Sequence, residues 1–341
     1  MAQRFRISFS RESIWFQIIV PGGSIALCCL IALVFYWQPD ACAAVLVLPR
    51  WMWIAPGLVL AALGWTRQCK RIAVAAAVVW VIYGLAFTQE LPGLLRVRHS
   101  VSSKWEAAHN SGMALRVISL NCNGGNERAA AEVAQYRPDI VLFEESPLRP
   151  ILEGMTHDLL GPQAESFCGY DVSMMARGKI SALPVENPES APFKHARIHF
   201  DSGREVEVFV VRLQPYNIRV DLWSPDCWRA QRRIRERQRG QFERIKQALD
   251  RVPKDVPVVL GGDFNLPAGD RMFSILNGRI SDAFRKAGSG WGDTLDDDLP
   301  VLRIDQIWCD EHFRPVLVRA QTTQNSDHRM VICDLLCSSP Q

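Results

Sequence analysis

Four stretches of the chain end in residues that could act on a charged oxygen substrate. Val117-Ile-Ser-Leu120 leads into Asn121 and Asn123, and Ile140-Val-Leu-Phe143 leads into Glu144 and Glu145. Val256-Pro-Val-Val-Leu260 leads into Gly261-Gly262-Asp263-Phe264-Asn265. Ser326-Asp327-His328 stands just before Met330-Val-Ile-Cys-Asp-Leu335. Carboxylates, carboxamides and one histidine form an oxygen-rich set, which suits a hard cation such as Mg²⁺ and acid–base hydrolysis. Each stretch alone also reads as an ordinary turn: Asn121 as a cap, Gly261-Gly262-Asp263 as a reversal, Glu145 as a surface acid. Four such endings in one region point to a shared site.

The runs that carry these residues are β-branched and too short for helices, so they read as buried strands. Val206-Glu-Val-Phe-Val-Val211 is a fifth. Buried strands deliver the polar groups at their ends to a common rim. Trp228–Asp250 reads as one long helix, with Ile234, Phe242, Ile245 and Leu249 at helical spacing. Its arginines (Arg229, Arg232, Arg233, Arg235, Arg237, Arg239) invite a nucleic-acid reading, but Glu236 and Glu243 interleave with them. A solvated helix face is therefore expected, with contact to anionic lipid head groups as a third reading. Histidines other than His328 have no motif around them.

The 341 residues divide sharply in composition. Residues 1–99 hold 9 Lys+Arg and 3 Asp+Glu, while 100–341 hold 30 and 33, giving net charges of +6 and −3. This excludes a disordered chain, a small disulfide scaffold and a uniformly basic nucleic-acid binder. Charge-free runs, the second (Trp51 to Thr66) extended back to Ala43 by a snorkelling Arg50, predict about three transmembrane helices within a membrane segment 1–89, near 13–37, 43–66 and 72–89. Trp37, Trp51, Trp53 and Trp65 stand at the run ends, where interfacial rings belong. The first run is too long for a cleaved signal, and two more follow. Arg4, Arg6 and Arg11 precede the first span, and Arg67, Lys70 and Arg71 separate the second from the third. The positive-inside rule then puts the N-terminus inside and the region after three spans outside, although Arg96, Arg98 and Lys104 pull the other way. Residues 90–112, rich in Ser, Gly and Pro, read as a linker to a domain at 113–341. Six cysteines of that domain permit fifteen disulfide pairings and select none, and no zinc-type spacing occurs.

Taken in order, Leu115–Asn123, Pro138–Glu145, Gly261–Asn265, Arg303-Ile-Asp-Gln-Ile307 and Ser326–His328 resemble the motifs of the endonuclease/exonuclease/phosphatase (DNase I-like) superfamily. The resemblance covers the soluble part nearly end to end. With the N-terminal spans, the chain also looks like membrane-anchored bacterial members. It implies an α/β (α+β) fold, a four-layered α/β/β/α sandwich of two packed sheets, and metal-assisted in-line attack of water on a phosphoester. By resemblance, Glu145 with the Asn121 amide oxygen would hold Mg²⁺ or Mn²⁺, and Asp327 would complete the metal region. Asp263 would position or deprotonate the water, and Asn265 would donate to the phosphate. His328 would contact the phosphate or act as acid–base, its tautomer fixed by Asp305. Asn123 occupies a place where relatives carry Asp or Asn.

One departure stands out. Relatives often carry a histidine after the middle strand, whereas Val210-Val211-Arg212-Leu213 places Arg212 there. Arginine cannot transfer a proton at neutral pH but binds phosphate bidentately. The other reading is an outward-facing arginine on an edge strand. The expected function is a membrane-tethered, metal-dependent phosphodiesterase, nuclease or phosphatase, with a lipid bilayer as partner. The alternative is a non-catalytic phosphate-binding module on the same fold. Nucleic acid, phospholipid and small phosphoesters all remain open as substrates, because the loops at 146–168 and 214–228 carry no legible motif.

Overall fold

The computed structural model describes residues 11–65, 69–88, 90–96, 100–216 and 218–338. Arg4, Arg6, Arg67, Arg98 and His99 lie outside the described residues. The chain forms two compact units, Met1–Thr88 and Gln89–Gln341.

In the first unit, Ile18–Trp37 and Lys70–Phe87 are long and apolar enough to cross a membrane. The run expected as a span at 43–66 is instead two helices, Asp40–Leu46 and Arg50–Leu63, bent by 81°. Pro49 lies at the break, where its missing N–H and fixed φ interrupt helical bonding. Arg50 is held there: its guanidinium donates to the Phe87 carbonyl at 3.2 Å, and the Tyr83 hydroxyl donates to the Arg50 carbonyl at 3.2 Å. Trp80 Nε1 donates to Ser24 Oγ at 3.0 Å, and Ser24 Oγ donates to the Gly57 carbonyl at 2.8 Å. Three helices are thereby tied by small and polar residues, as helices in an apolar medium require.

The segment read as a linker at 90–112 carries two short helices, Glu90–Leu95 and Ser103–Asn110, and belongs to the second unit. The reason is Trp105: it is buried, with the Arg116 guanidinium 4.8 Å from its ring centre, and Ser102 caps the helix before it. His109 Nε2 lies 2.8 Å from Asp139 Oδ2.

Among its described residues the second unit contains twelve strands: β1 (Ala114–Asn121), β2 (Ile140–Glu144), β3 (Glu165–Phe167), β4 (Val172–Ala176), β5 (Lys179–Ala182) and β6 (Phe193–His199). They continue as β7 (Glu205–Arg212), β8 (Val258–Asp263), β9 (Ser281–Asp282), β10 (Asp305–Cys309), β11 (Phe313–Gln321) and β12 (Met330–Cys337). One sheet runs β11-β12-β1-β2-β4-β3 and the other β5-β6-β7-β8-β10-β9. The pairs β1/β2 and β7/β8 are parallel, and the other paired neighbours are antiparallel.

Three apolar clusters fill the gaps between four layers. Val117, Ile140, Leu142, Val208 and Val210 pack between the sheets. Ile118, Val141 and Phe143 face the helix Arg149–Leu160, while Phe209, Val211 and Leu260 face Phe242, Ile245 and Leu249 of the helix Pro225–Asp250. This is the α/β/β/α sandwich expected from the sequence. The long helix departs from a simple solvated arginine face in one place. Arg235 is buried and paired with Asp270, while Arg229 and Arg232 stay exposed on Asp226 and Glu236. Among the described residues no disulfide joins any of the ten cysteines.

Candidate active site

Strand direction gathers the site. β1, β2, β7 and β8 end at the same edge, in Asn121, Glu144, Arg212 and Asp263. The antiparallel strands β10 and β12 start there, so Asp305 and the segment Ser326–His328 arrive beside them. In register, Asp263 faces Arg212 on one side and Asp305 on the other. Gly262 permits this: its φ is +143°, and a Cβ would lie 2.0 Å from the Val211 carbonyl oxygen.

Asp263, Asp305 and His328 are all buried, and their ligand atoms lie within 4.8 Å of one another. His328 Nδ1 is 2.9 Å from Asp305 Oδ2. Asp305 Oδ1 is buried without a hydrogen-bond partner, and the backbone N–H of Asp305 donates to Thr294 Oγ1 at 3.1 Å. Burial, then the charge of Asp305, raises the Asp263 carboxyl to about 6. Burial alone would lower His328, but the charges of Asp305 and Asp263 outweigh it and lift the imidazole to about 10. A carboxylate and an imidazolium are thus held side by side.

Asn265 donates through Nδ2 to Asp263 Oδ2 at 2.9 Å and to the Leu213 carbonyl at 3.2 Å. Both amide hydrogens are engaged, so Asn265 here orients Asp263 rather than offering a free donor to phosphate. Asn121 donates through Nδ2 to Asp263 Oδ2 at 3.2 Å and to Glu145 Oε1 at 3.3 Å. Its amide oxygen accepts from the Asn123 N–H at 3.0 Å. The amide nitrogen therefore faces the carboxylates, since both are anionic acceptors.

Glu145 follows β2 in a left-handed conformation, φ +45°, as do Asn123 and Asn265. Held strain of this kind concentrates at functional sites. The Glu145 carboxylate accepts from the Gly124 N–H at 2.6 Å and from Arg212 Nη2 at 2.6 Å. Burial pushes its pKa up, but Gly124, Arg212 and Asn121 together bring it below the usual value. Glu144 differs: it lies on the face of Ile140 and Leu142, fully buried between the sheets, with Ser119 Oγ donating at 3.2 Å. Burial, then Asp305 and Asp263, raises it well above the ordinary carboxyl value.

Arg212 is not on an edge. β7 lies between β6 and β8, and the guanidinium turns into the rim, bonding Asp171 Oδ1 and Oδ2 at 2.9 and 3.0 Å as well as Glu145. Asn123 and Asp327 have exposed side chains on the same rim, and the Asp327 carbonyl accepts from the Asp297 N–H at 2.9 Å. Asp327 lies outside the tight Asp263–Asp305–His328 grouping.

Sequence reasoning passed over Asp171, Thr294 and Tyr216. The Tyr216 hydroxyl is buried with no hydrogen-bond partner among the described residues, and burial, then Asp263 and Asp305, raises its pKa well above the ordinary phenol value. No local motif marks any of the three. Only Asp171, opening the strand Val172–Ala176, sits where a strand-end rule applied in reverse would have found it.

The model of the Endonuclease/Exonuclease/phosphatase family matches residues 118–328, more than half the chain, from within β1 to His328. The chain belongs to the endonuclease/exonuclease/phosphatase family. Membership supports phosphoester hydrolysis as its general class of chemistry. Solved structures of family proteins are similar in fold. The protein from Bacteroides vulgatus is 16% identical with a TM-score of 0.52, covering 66% of this chain and 99% of its own. That from Bacteroides thetaiotaomicron is 16% identical, TM-score 0.51, covering 66% and 98%. That from Beutenbergia cavernae is 18% identical, TM-score 0.50, covering 67% and 72%. No curated protein matches the chain.

Proposed function

We propose that the chain is a membrane-tethered, divalent-metal-dependent hydrolase of phosphoester bonds, with its catalytic unit outside the cytoplasm. The observation that carries this reading is the buried Asp263–Asp305–His328 grouping, in which neighbouring groups have proton affinities pushed apart. Such a split assigns base and acid. Tethering draws on the two apolar helices, and the outer side on three crossings, counting the bent pair as one, with Lys70 and Arg71 before the last.

The donor set fits a hard cation. Glu145 and Asp327 offer carboxylate oxygen and Asn121 its amide oxygen, and Asp305 Oδ1 is a buried carboxylate oxygen with no hydrogen-bond partner among the described residues. Glu145 would hold Mg²⁺ or Mn²⁺, with Asp327 completing the region and the Asn121 amide turned over so that its oxygen leaves the Asn123 N–H and joins them. When bound, the ion supplies charge neutralisation at a phosphate oxygen. The chain's own residues do the remaining work. Asp263, oriented by Asn265, takes a proton from the attacking water, whose oxygen joins phosphorus as one ester oxygen departs. His328, held through Nδ1 by Asp305, gives the departing oxygen its proton from Nε2. Arg212, steadied by Asp171, and Asn123 bind the phosphate from the opposite side.

One observation favours the binding-module alternative: Arg212 already neutralises Glu145. A substrate panel on the purified full chain separates the two readings. Plasmid DNA, RNA, phospholipid, inositol phosphates and a chromogenic phosphodiester are each supplied with Mg²⁺, Mn²⁺ or EDTA. Turnover with metal and none in EDTA is expected. Phosphate binding without turnover of anything would support the module, and full turnover in chelator would overturn the metal requirement.

A further inference from the structure

Exposed apolar side chains of the second unit are concentrated rather than scattered. Among its described residues nine large ones are exposed, and Leu94, Leu95 and Met113 precede β1. The other six all stand on loops at the edge that carries the site. Leu148 (73% exposed) is three residues beyond Glu145, and Tyr170 (102%) adjoins Asp171, which grips Arg212. Ile218, Val220 and Trp223 (83%) follow Arg212 at the end of β7. Leu299 (71%) belongs to the loop in which Leu295 bridges His328 and the Asp297 N–H bonds the Asp327 carbonyl. Soluble surfaces show such residues singly, and a cluster of them marks an interaction face. Tyr and Trp, apolar rings with one polar tip, suit the boundary between water and lipid.

Charge selects among partners. Asp296 and Asp298 are exposed on the lip beside His328. A nucleic acid needs Lys or Arg against each phosphate, so this lip repels a polyanion. It complements a cationic group carried just outside a single phosphate, while Arg212 and His328 offer positive charge within. Apolar loops around and an acidic lip, with Arg212 and His328 placed among the site's carboxylates to meet one phosphate, match a zwitterionic phospholipid in its own surface. Among the described residues, Ile18–Trp37 and Lys70–Phe87 are long and apolar enough to cross that kind of surface.

We infer that the loops bearing Leu148, Tyr170, Ile218, Val220, Trp223 and Leu299 dock on a zwitterionic lipid surface and present the phosphodiester of an amphiphile to Asp263 and His328. This rests on the phosphoester-hydrolase reading and narrows its substrate. The water oxygen joins phosphorus, one ester P–O bond breaks, and the released oxygen takes a proton, leaving one alcohol and one phosphomonoester.

The test uses the full chain in nonionic detergent with Mg²⁺ or Mn²⁺. Its substrates are phosphatidylcholine in mixed micelles, bis-p-nitrophenyl phosphate in solution, and single- and double-stranded DNA. Lipid hydrolysis should rise with the mole fraction of lipid in the micelle. Tyr170→Ser with Trp223→Ser should lower the lipid rate by about tenfold or more, because two interfacial anchors are lost. The same pair should leave the soluble diester within about twofold, since neither residue touches the reacting atoms. Hydrolysis of the soluble diester or of DNA without hydrolysis of lipid would overturn the inference alone. Equal losses on lipid and soluble diester would overturn it too. Failure on every substrate would overturn the hydrolase reading and this inference with it.

Discussion

Replacing Asp305 by Asn tests whether Asp305 and His328 act as one unit. Asp305 is fully buried, and its Oδ2 lies 2.9 Å from His328 Nδ1. The variant keeps the shape and removes the charge. Stranding a buried charge without its partner costs about 3–5 kcal/mol. His328 escapes most of that cost by losing its proton, so the effect appears as a fall in its pKa from about 10. Asp263 loses a repelling neighbour and also falls, from about 6. With Asp263 as base and His328 as acid, kcat/KM of the parent should rise through the lower value and decline through the upper. Both limbs should move to lower pH in Asp305→Asn. At neutral pH, loss of a positioned proton donor costs about 10²–10⁴-fold in kcat, or roughly 3–5 kcal/mol of barrier. His328→Ala should lose a similar amount, and the double variant should be scarcely worse than the poorer single one. Stability gives a second readout in chelator. A histidine with a raised folded pKa contributes stability fully present below about pH 6.5 and lost as pH rises through about 10, a slope that Asp305→Asn should flatten. The assay is a pH–rate profile on the chromogenic diester beside thermal unfolding over pH 6–10. Multiplicative losses, or limbs that stay in place, would refute the pairing and leave Asp305 as a structural anion.

Other outcomes follow from the same rim. Glu145→Gln should weaken Mg²⁺ or Mn²⁺ binding in a metal titration by at least about tenfold with little loss of folding, because its carboxylate is only half-buried; unchanged affinity would move the metal away from Glu145. Arg212→Lys keeps charge but loses the fork that spans Asp171 and Glu145, so KM for the diester should rise more than kcat falls, and Asp171→Asn should do the same more weakly. A kcat-only effect would argue against phosphate binding by Arg212. An extracytoplasm-active reporter fused after Gln341 should be active and one fused near Lys70 silent. The reverse would mean that the bent pair Asp40–Leu46 and Arg50–Leu63 does not cross.

Local signals carried much of this protein. The charge-free runs, the β-branched runs and the polar residues that end them are readable because each depends on a few adjacent side chains. The family motifs add their order, and five strands, the long helix and Asp263, Asp305 and His328 were all legible. Tertiary structure decided what depends on register and on neighbours distant in sequence. Parallel pairing of β7 with β8 turns Arg212 into the rim instead of toward solvent, and brings Asp171 to it across 41 positions. Pairing cannot be read from a strand alone, since a one-residue slip would reverse every side chain. The same holds for Trp105, which draws a Ser-rich stretch onto β1, and for Pro49 and Arg50, which bend a run that hydropathy alone reads as straight. Composition counts apolar residues, but the chain's own packing and hydrogen bonding decide where each of them lies.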